Sequence, residues 1–536
     1  MKKNTITIAQ LFLSFLLFTT ALHAQEYFRV EIEETNFPNS PALHSAAFAK
    51  FNNKWIIIGG RTNGLHGFNA IDPFTSNGNN ANIYLVNPDD ETTLSLATTT
   101  LPLEIRESII VSNMQFSQID STLYIVGGYG WNDSAQQFLT SRALVAVNLS
   151  LLTQAIENQS SSYTHCFRII KDERLAVCGA HIKNLNNTFY LVFGHLFDGT
   201  YSRVNNGLFV QQYTRAIRKF NIDDDGTNLA IANYGEIYDS LNFRRRDYNL
   251  VNQIFPDGRL GFTAFTGVFQ EGINLPYLNT VDIAGNGYQV INNFNQNLSQ
   301  YHNAVMPIYD SASNYMHTVF FGGIAQYYRD TITNALINDS LVPFVNTISM
   351  ISRDSLGNLT EYELPIKFPA LLGTNAEFIT ANNISLLHEN IININSLGNR
   401  TLVGYIMGGI ESPEANISIT DPSNSFASSR IFKVFINKQP EDSTITKNAF
   451  LVKEPTILKI QPNPFDKEIS IVLNNNNTKS ITLKLFSGNN KLLKEVYSGK
   501  EPKKVITINT EAYAKGLYYL ELRTENFRKI YRVIKQ

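Results

Sequence analysis

Short apolar runs that end in a glycine turn recur along most of the chain. Each is followed, after a loop of varying length, by a second run in which apolar and polar residues alternate. A short apolar run bounded by turn residues predicts a buried strand, and alternation predicts a half-buried one. The pattern therefore predicts a repeating β-meander. The six apolar runs with their turns are Trp55–Gly64, Leu123–Asp133, Leu175–Lys183, Phe262–Gln270, Thr318–Gln326 and Gly404–Ser412.

The glycines of these turns have a local physical role. They permit a positive φ and a close approach of two backbones, which is needed where inner strands crowd around a central channel. In the third and fourth repeats a single glycine follows Cys178 and Thr266. The predicted turn glycines are Gly59, Gly60, Gly127, Gly128, Gly179, Gly267, Gly322, Gly323, Gly408 and Gly409.

These residues resemble kelch repeats over roughly 26–438. The resemblance implies an all-β fold, a kelch-like β-propeller with six blades favoured and seven as the alternative, in a domain at 25–438. We expect Glu26–Glu34 to close the ring as the outer strand of the last blade, because an open ring leaves unpaired strand edges. The alternative is an irregular sandwich of similar strands.

The chain changes character after the last repeat. Residues 439–455 are polar and contain Pro440 and Pro455, as is typical of a linker. Residues 456–536 hold six or seven short alternating runs separated by turn-rich breaks such as Asn474–Asn477. So many short strands in so few residues predict a small β-sandwich.

The last segment opens with a Pro-Asn-Pro-Phe motif, and a Gly-Leu-Tyr-Tyr run precedes its final alternating run. It resembles the type A C-terminal sorting domain of the type IX secretion system of Bacteroidetes. The resemblance implies an immunoglobulin-like sandwich, export through the periplasm, and passage across the outer membrane. The secretion machinery and its sortase would be partners, and removal of the tail would leave the protein released or attached to anionic lipopolysaccharide. The residues that carry the resemblance are Pro462, Asn463, Pro464, Phe465, Gly516, Leu517, Tyr518 and Lys535.

The N-terminus has the pattern of a secretory signal peptide at 1–24. Lys2 and Lys3 precede an apolar stretch from Ile6 to Leu22, and cleavage is expected between Ala24 and Gln25. No later run is long and apolar enough to cross a bilayer, so we expect no transmembrane anchor.

Charge separates the tail from the rest of the chain. Residues 456–536 contain 12 Lys and 3 Arg against 6 Glu and 1 Asp, a net charge of +8. The remaining 29 basic and 39 acidic side chains give −10. Two domains with different surfaces explain this, and docking of the basic tail on an acidic partner is the alternative. No basic patch interleaved with aromatic residues indicates nucleic acid.

The two cysteines leave two interpretations open. Cys166 and Cys178 flank a stretch that is predicted to form a hairpin turning at Lys171–Arg174. A three-residue loop would place them opposite each other, where a disulfide could form in an oxidising compartment. A loop of two or four residues would leave two buried thiols.

No residue set points to catalysis, a metal or a cofactor. The histidines His195, His302, His317 and His388 are single and lack the spacing of metal ligands. The chain contains no phosphate-binding loop, nucleophile elbow or dinucleotide fingerprint. We therefore predict no catalytic residue, metal or cofactor, and lean against an enzyme.

Two classes of function remain. The first is a surface or secreted binding module, with a glycan or another surface polymer as its ligand, because propeller loops surround a channel mouth. The alternative is an extracellular carbohydrate-active enzyme, an epimerase, lyase or hydrolase. The enzyme predicts carboxylates, His or Arg converging at one mouth with shifted pKa values. Apolar and amide side chains there would oppose it.

An Asp–Ser or Asp–Thr pair, followed by an apolar residue or Thr, recurs along the chain. It resembles the acceptor motif for O-glycosylation of exported Bacteroidetes proteins. The alternative is turn chemistry, since Asp and Ser start hairpin turns. The candidate acceptors are Ser121, Ser134, Ser240, Ser311, Thr331, Ser340, Ser355 and Ser443.

Intact-mass measurement on the natively secreted protein separates the two interpretations of this motif. Glycosylation predicts a mass above that of the processed polypeptide. Turn chemistry alone predicts a mass equal to it, and that result would remove the glycan interpretation.

Overall fold

The computed structural model describes residues 28–67, 74–201, 209–330, 335–438, 450–451, 458–473, 481–488, 491–499, 505–524 and 527–536. The predicted signal peptide, with Ala24 and Gln25, lies outside the described residues. So do Thr331, Ser443 and the predicted linker apart from Phe450 and Leu451.

Six sheets of four main antiparallel strands each follow one another from residue 47 to 437, and the fourth strand of the sixth sheet is the N-terminal strand at residues 29–35. The strands of the first three blades, after β1 (Arg29–Thr35), are β2 (Ala47–Phe51), β3 (Lys54–Ile58), β4 (Asn82–Asn87), β5 (Thr92–Ala97); β6 (Gln115–Ile119), β7 (Thr122–Val126), β8 (Tyr129–Asn132), β9 (Gln137–Thr140), β10 (Ala143–Asn148), β11 (Phe167–Lys171); β12 (His181–Leu185), β13 (Thr188–Val192), β14 (His195–Gly199), β15 (Phe209–Tyr213), β16 (Ala216–Asp224) and β17 (Leu229–Tyr238).

The strands of the other three blades are β18 (Asn249–Ile254), β19 (Leu260–Phe265), β20 (Thr280–Ala284), β21 (Gly287–Ile291); β22 (Ala304–Asp310), β23 (Tyr315–Ile324), β24 (Tyr327–Arg329), β25 (Leu336–Asn338), β26 (Phe344–Arg353), β27 (Leu359–Lys367); β28 (Leu371–Thr380), β30 (Arg400–Ser412), β31 (Phe426–Ala427) and β32 (Ile431–Asn437). The short strand β29 (Ile392–Asn393) pairs in parallel with β22 and so joins the sheet of blade 5. The strand pairs β8–β9, β14–β15 and β24–β25 are hairpins inserted after the second strand of blades 2, 3 and 5.

The N-terminal strand closes the ring of blades. β1 pairs antiparallel with β32 from Arg29 opposite Asn437 to Thr35 opposite Ile431, so it is the outermost strand of the sixth blade. This is the position that the sequence predicted for it. The all-β propeller with six blades is therefore confirmed, and the seven-bladed alternative and the irregular sandwich are excluded.

A closed circle of backbone hydrogen bonds lies at the centre of the propeller. One residue in each blade donates its N–H to the carbonyl oxygen of the equivalent residue in the preceding blade; it lies two residues before the inner strand in blades 1 to 5 and within β28 in blade 6. The bonds, with N···O distances, are Asn113 to Ser45 (3.1 Å), Gly179 to Asn113 (3.1 Å), Asp247 to Gly179 (2.9 Å), His302 to Asp247 (3.0 Å), Asn375 to His302 (2.9 Å) and Ser45 to Asn375 (3.5 Å). We call these six residues the central ring.

The glycine turns connect each blade to the next. The N–H of the second glycine donates to a carbonyl oxygen two residues before the next member of the central ring, as in Gly60 to Val111 and Gly128 to Val177, both at 2.8 Å. Both turn residues have positive φ, 65° and 93° for Gly127 and Gly128. A side chain at the first position would strike the neighbouring blade.

The third glycine turn differs from the prediction. It is formed by Phe193 and Gly194, with φ of 54° and 82°, directly after β13. Gly179, assigned to this turn from the sequence, belongs instead to the central ring. The sequence pattern failed here because Phe193 replaces a glycine, and the apolar run before Cys178 has the same appearance as a second strand.

The hydrophobic core is divided among the interfaces between blades. One cluster joins blades 1 and 2 and includes residues of two short helices, α1 (Leu103–Ile109) and α2 (Leu149–Glu157). Corresponding clusters join each later pair of neighbours, and Trp55 with Tyr405 packs blade 6 against blade 1. Burial of apolar area between flat sheets is the main stabilising term of such a ring.

The two cysteines do not lie on one hairpin. β11 pairs with β10, so the predicted turn at Lys171–Arg174 does not bring Cys166 and Cys178 together. Cys166 is buried between blades 1 and 2, whereas Cys178 is buried in an aromatic cluster with Tyr129 and Phe197. Both are free thiols.

The C-terminal part forms two sheets around one core. Its strands are β33 (Phe450–Leu451), β34 (Leu458–Gln461), β35 (Glu468–Leu473), β36 (Ile481–Ser487), β37 (Leu492–Gly499), β38 (Val505–Asn509), β39 (Gly516–Thr524) and β40 (Phe527–Lys535). One sheet contains β34, β35 and β38, and the other contains β40, β39, β36 and β37. Their facing side chains share a core with Phe465 and Leu520. Among the described helices, none is long and apolar enough to span a membrane.

Gly322→Ala tests the coupling of the blades. A Cβ atom at this position, where φ is +61°, would lie 2.0 Å from the carbonyl oxygen of Leu372 in the next blade. We expect a loss of about 2–4 kcal/mol in the free energy of unfolding, from left-handed backbone strain plus overpacking. Urea denaturation measures it.

Gly226→Ala is the matched control. Gly226 has φ of +88°, but no heavy atom lies within 4 Å of the place that a Cβ atom would take, so only the backbone strain of about 1 kcal/mol should appear. Equal losses for the two variants would contradict the role of the glycine turn in joining the blades.

Candidate functional site

A large cavity lies at one mouth of the central channel of the propeller. Its volume is about 1260 Å³, and it is lined by the loops that follow the glycine turns of blades 1, 3, 4, 5 and 6. We call it the mouth cavity. Small-molecule sites usually measure about 300–1,000 Å³, so this cavity has room for a ligand larger than one small molecule.

The central ring decides which side chains form the floor of this cavity. In five of the six blades the residue before the ring member lines the cavity, whereas Cys178, which precedes Gly179, is buried in an aromatic cluster. The floor residues are His44, Ser112, Arg246, Tyr301 and Thr374. They come from five blades, and no two of them are close in sequence.

Two arginines approach the cavity from the entry of blade 4. In the stretch Phe243–Asp247, Arg244 and Arg246 line the mouth cavity, while Arg245 between them is completely buried. Arg245 donates to the carbonyl oxygens of Asn242, Thr266 and Asn279 and is therefore structural. Successive side chains of an extended backbone point to opposite sides, which explains why Arg244 and Arg246 line the cavity while Arg245 is buried.

Aromatic rings hold these two arginines in place. The guanidinium of Arg244 lies 4.1 Å from the ring centre of Tyr213, and that of Arg246 lies 5.2 Å from the ring centre of Phe269. Arg246 also donates to the Tyr213 hydroxyl (3.3 Å) and to Asp247 (2.8 Å). Such cation–π contacts are worth about 0.5–2 kcal/mol each, so they preorganise the two cations.

A third arginine adds positive charge beneath the rim. Arg61 is buried, donates to Asn63, Asn79 and the carbonyl oxygen of Thr75, and stacks 3.7 Å above the ring centre of Phe74. Burial lowers its pKa to about 10, which leaves it charged at neutral pH. With burial, its field lowers the pKa of the neighbouring His44 to about 3.

The mouth cavity is cationic although the chain outside the tail is acidic. Among the described residues that line it are three arginines of the propeller, Arg532 of the tail and one aspartate, Asp247. Burial raises the pKa of Asp247, opposed by the charge of Arg246. Burial and the neighbouring arginines lower the pKa of His195 well below its ordinary value, so this imidazole is neutral at pH 7.

A smaller cavity of about 260 Å³ continues down the channel beyond the central ring. His302 lies there with its Nε2 atom 3.4 Å from Oε1 of Glu377, and its ring packs 4.9 Å from that of His181. Burial raises the pKa of Glu377 to about 8 and lowers that of His302 to about 4. At neutral pH the pair is thus an uncharged carboxyl beside an uncharged imidazole.

Charged and aromatic side chains, and not only apolar and amide side chains, line the mouth cavity and the channel. Of the four histidines considered as single residues in the sequence, His302 lies in the channel and His195 borders the mouth through its bond to Gln211 (2.8 Å). Within the described part of the chain, no group of three or more His, Cys, Asp or Glu side chains could hold a metal ion.

Sequence reasoning missed the residues that dominate the mouth. Arg244, Arg246, Tyr213, Phe269 and Tyr301 belong to no motif. Two sequence patterns were available: three consecutive arginines directly before a strand, and a Ser, Asn, Gly or Asp two residues before most inner strands. The second pattern follows from the central ring, where five of the six members have positive φ.

The residues of the sorting motif meet at the last strand. Asn463 accepts a bond from the N–H of Ile534 (2.9 Å) and donates to the carbonyl oxygen of Arg532 (3.1 Å). The Lys535 amine is buried and donates to the carbonyl oxygens of Asp466 and Thr510. The Pro-Asn-Pro-Phe segment therefore fastens the end of the chain to the sandwich.

Six of the eight candidate glycosylation sites are described. Ser121, Ser134, Ser240, Ser311 and Ser355 are exposed, and Ser340 is half-buried. In four of these motifs the preceding Asp accepts the N–H two residues later, at 2.9–3.0 Å, as in a turn started by Asp. Turn chemistry and accessibility to modification coexist at these positions.

The comparisons with known proteins concern mainly the tail. Residues 459–536 match the family model of the secretion system C-terminal sorting domain. This domain directs export through type IX secretion to the cell surface or the extracellular space. No curated protein matches the chain.

Two solved structures are similar in overall fold. One, "Structure of YjhT", has 11% identity and a TM-score of 0.43, and the match covers 78% of this chain and 99% of that one. The other is a novel fungal alcohol oxidase of the AA5 family in complex with copper, with 8% identity, a TM-score of 0.35, and coverage of 94% and 98%. Likeness at this level gives no information about activity.

Glu377→Gln tests the uncharged state of the channel carboxyl. The folded pKa of about 8 exceeds the ordinary value of 4.5, so the folded state holds a proton that the unfolded state releases. Its contribution to stability is therefore lost as the pH rises from about 4.5 to 8. The variant should melt at a higher temperature relative to the parent at pH 8.5 than at pH 5.

Glu173→Gln, at an exposed position, is the control. Its melting temperature relative to that of the parent should be the same at pH 8.5 as at pH 5. A Glu377→Gln variant that melts like the parent at both pH values would contradict the assignment.

Proposed function

We propose that this chain is an exported binding protein that holds an acidic saccharide in its mouth cavity. One observation carries the proposal: Arg244 and Arg246 are fixed on aromatic rings in a large cavity whose described lining contains one carboxylate. Guanidinium groups bind carboxylates with bidentate geometry, and the aromatic rings offer apolar faces to a sugar ring.

Arg244 is the better placed of the two for contact with a ligand. Its guanidinium donates to the carbonyl oxygen of Phe269 and stacks on Tyr213, and no carboxylate among the described residues forms an ion pair with it. Arg246 has Asp247 as its partner and therefore adds less net charge. A carboxylated ligand would supply the anion that Arg244 lacks.

The location of the protein agrees with this ligand class. The sorting domain sends the chain to the cell surface or beyond, where acidic polysaccharides and lipopolysaccharide are exposed. We further propose that the blades are kelch repeats, supported by the recurring glycine turns, and that the domains divide at 25–438, 439–455 and 456–536. O-glycosylation at the exposed Asp-Ser motifs remains part of the proposal.

A second candidate is an enzyme that acts on the same bound saccharide. It is favoured by Arg246, Asp247 and Tyr301, which converge on the floor and two of which have pKa values raised by burial. Against it, Asp247 is already engaged by Arg246 and by the central ring. Hydrolysis also uses two carboxylates, about 5–9.5 Å apart, and the described lining holds one.

Titration of trigalacturonate into the protein tests the binding site, with neutral galactotriose as the matched ligand. We expect binding of the acidic sugar only, and a 10-fold to 100-fold weaker affinity for Arg244→Gln, since bonds to charged groups contribute about 1.5–3 kcal/mol. Isothermal calorimetry measures both. Product analysis of the same mixtures by mass spectrometry would reveal turnover and favour the enzyme.

Arg259→Gln is the control variant. Arg259 is exposed in the turn between β18 and β19, paired with Asp257 and absent from the mouth cavity, so its loss should leave affinity unchanged. Equal binding of the neutral and acidic sugars, or unaltered binding by Arg244→Gln, would refute the proposed site.

A further inference from the structure

The sorting domain shares a sheet with the propeller. β25 of the blade 5 hairpin pairs in parallel with β40, with Leu336 opposite Phe527 and Asn338 opposite Lys529. The result is one six-stranded sheet that runs from β24 and β25 of the propeller into β40, β39, β36 and β37 of the tail. Leu336 and Ile337 are both buried.

Residues on one face of the tail line the mouth cavity. Along β39, Tyr518 and Leu520 point into the core of the sorting domain, while the alternate residues Leu517 and Tyr519 line the mouth cavity. Asn463, Tyr531, Arg532 and Ile534 line it as well. The face that a strand presents away from its own core is thus used against the propeller.

A second contact lies on the same blade. In the segment between the two domains, β33 pairs with β27, the outer strand of blade 5, with Leu451 opposite Tyr362 and Phe450 opposite Glu363. The chain leaving the propeller is therefore led along blade 5, whose inserted hairpin receives β40. The two contacts fix the tail on the side of the mouth that blade 5 forms.

We propose that the sorting domain docks across the mouth of its own propeller and covers the ligand site until the tail is removed. The docking itself is independent of the proposed function, whereas the covering of a ligand site rests on it. Removal of the tail would then both end secretion and open the site, so binding would begin outside the cell.

Two general arguments support this assignment. An unpaired edge strand such as β25 tends to add another strand, and β40 satisfies that edge within the same chain. The tail carries a net charge of +8 and the rest of the chain −10, which favours their association at long range even though the mouth itself is cationic.

Cysteine labelling tests the docking without any ligand. Ser340, two residues beyond β25, lines the mouth cavity, whereas Ser355 is exposed at the turn between β26 and β27. Ser340→Cys and Ser355→Cys are each placed in a full chain with a protease site in the linker and an affinity tag on the tail. The native thiols, buried at 0% and 3% exposure, should not react in the folded protein.

The rate of modification by a polymer-linked maleimide is measured before cleavage and after cleavage and removal of the tail. We expect at least a 10-fold acceleration for Ser340→Cys and no change for Ser355→Cys. Equal rates for Ser340→Cys in the two states would overturn the docking, whatever the ligand result.

Trigalacturonate binding is then measured on the same two states. At least a 10-fold tighter affinity after removal of the tail supports the covering of the site, and equal affinity refutes it. Accelerated labelling with no binding in either state would leave the docking established and would refute the covering of a ligand site together with the proposed function.

Discussion

The circle of six backbone hydrogen bonds at the centre is the constraint on which the propeller depends. Each ring member donates to one neighbour and accepts from the other, so the circle closes only with six blades in order. The geometry requires positive φ at five positions, where Ser, Asn, Gly and Asp stand. The backbone N–H and carbonyl groups of each ring member, including Asp247, are thus engaged in hydrogen bonds that hold the fold.

The functional surface follows from this circle. In five blades the residue before the ring member lines the mouth, and residues of the inner strand that follows line the channel. The mouth thereby collects side chains from five blades, and the channel below it holds the uncharged pair His302 and Glu377. Arg61 is buried and Arg244 and Arg246 are half-buried, which strengthens the field of these three cations on any bound anion.

The tail, like the N-terminal strand, pairs with the edge strand of a propeller sheet. β1 closes the ring by pairing with β32, and β40 covers the edge of β25 in the same manner. One pairing is part of the fold, whereas the other joins the propeller to a segment that type IX secretion recognises. An edge that is useful for docking during export becomes exposed once its partner is gone.

Much of the architecture was decided by the sequence alone, because strand periodicity and glycine turns are local properties. They predicted the all-β class and the six meanders, whereas the closing N-terminal strand and the sorting tail were expected from the resemblance to kelch repeats and to the type IX sorting domain. Prediction failed at Phe193 and Gly179, where a left-handed residue is not a glycine and a lone glycine serves the ring. The hairpin predicted at Lys171–Arg174 is also wrong, because β11 pairs with β10, whereas Cys166 and Cys178 are the two buried thiols of one of the two interpretations left open.

Only the tertiary structure decided the site. Arg246 and Tyr301 lie 55 positions apart in the sequence, and each is ordinary within its own segment. They share a floor because the ring brings equivalent positions of separate blades together, and no local pattern encodes that meeting. The charge of the mouth, the neutral state of His44 and the position of the tail over the cavity all arise from this long-range closure.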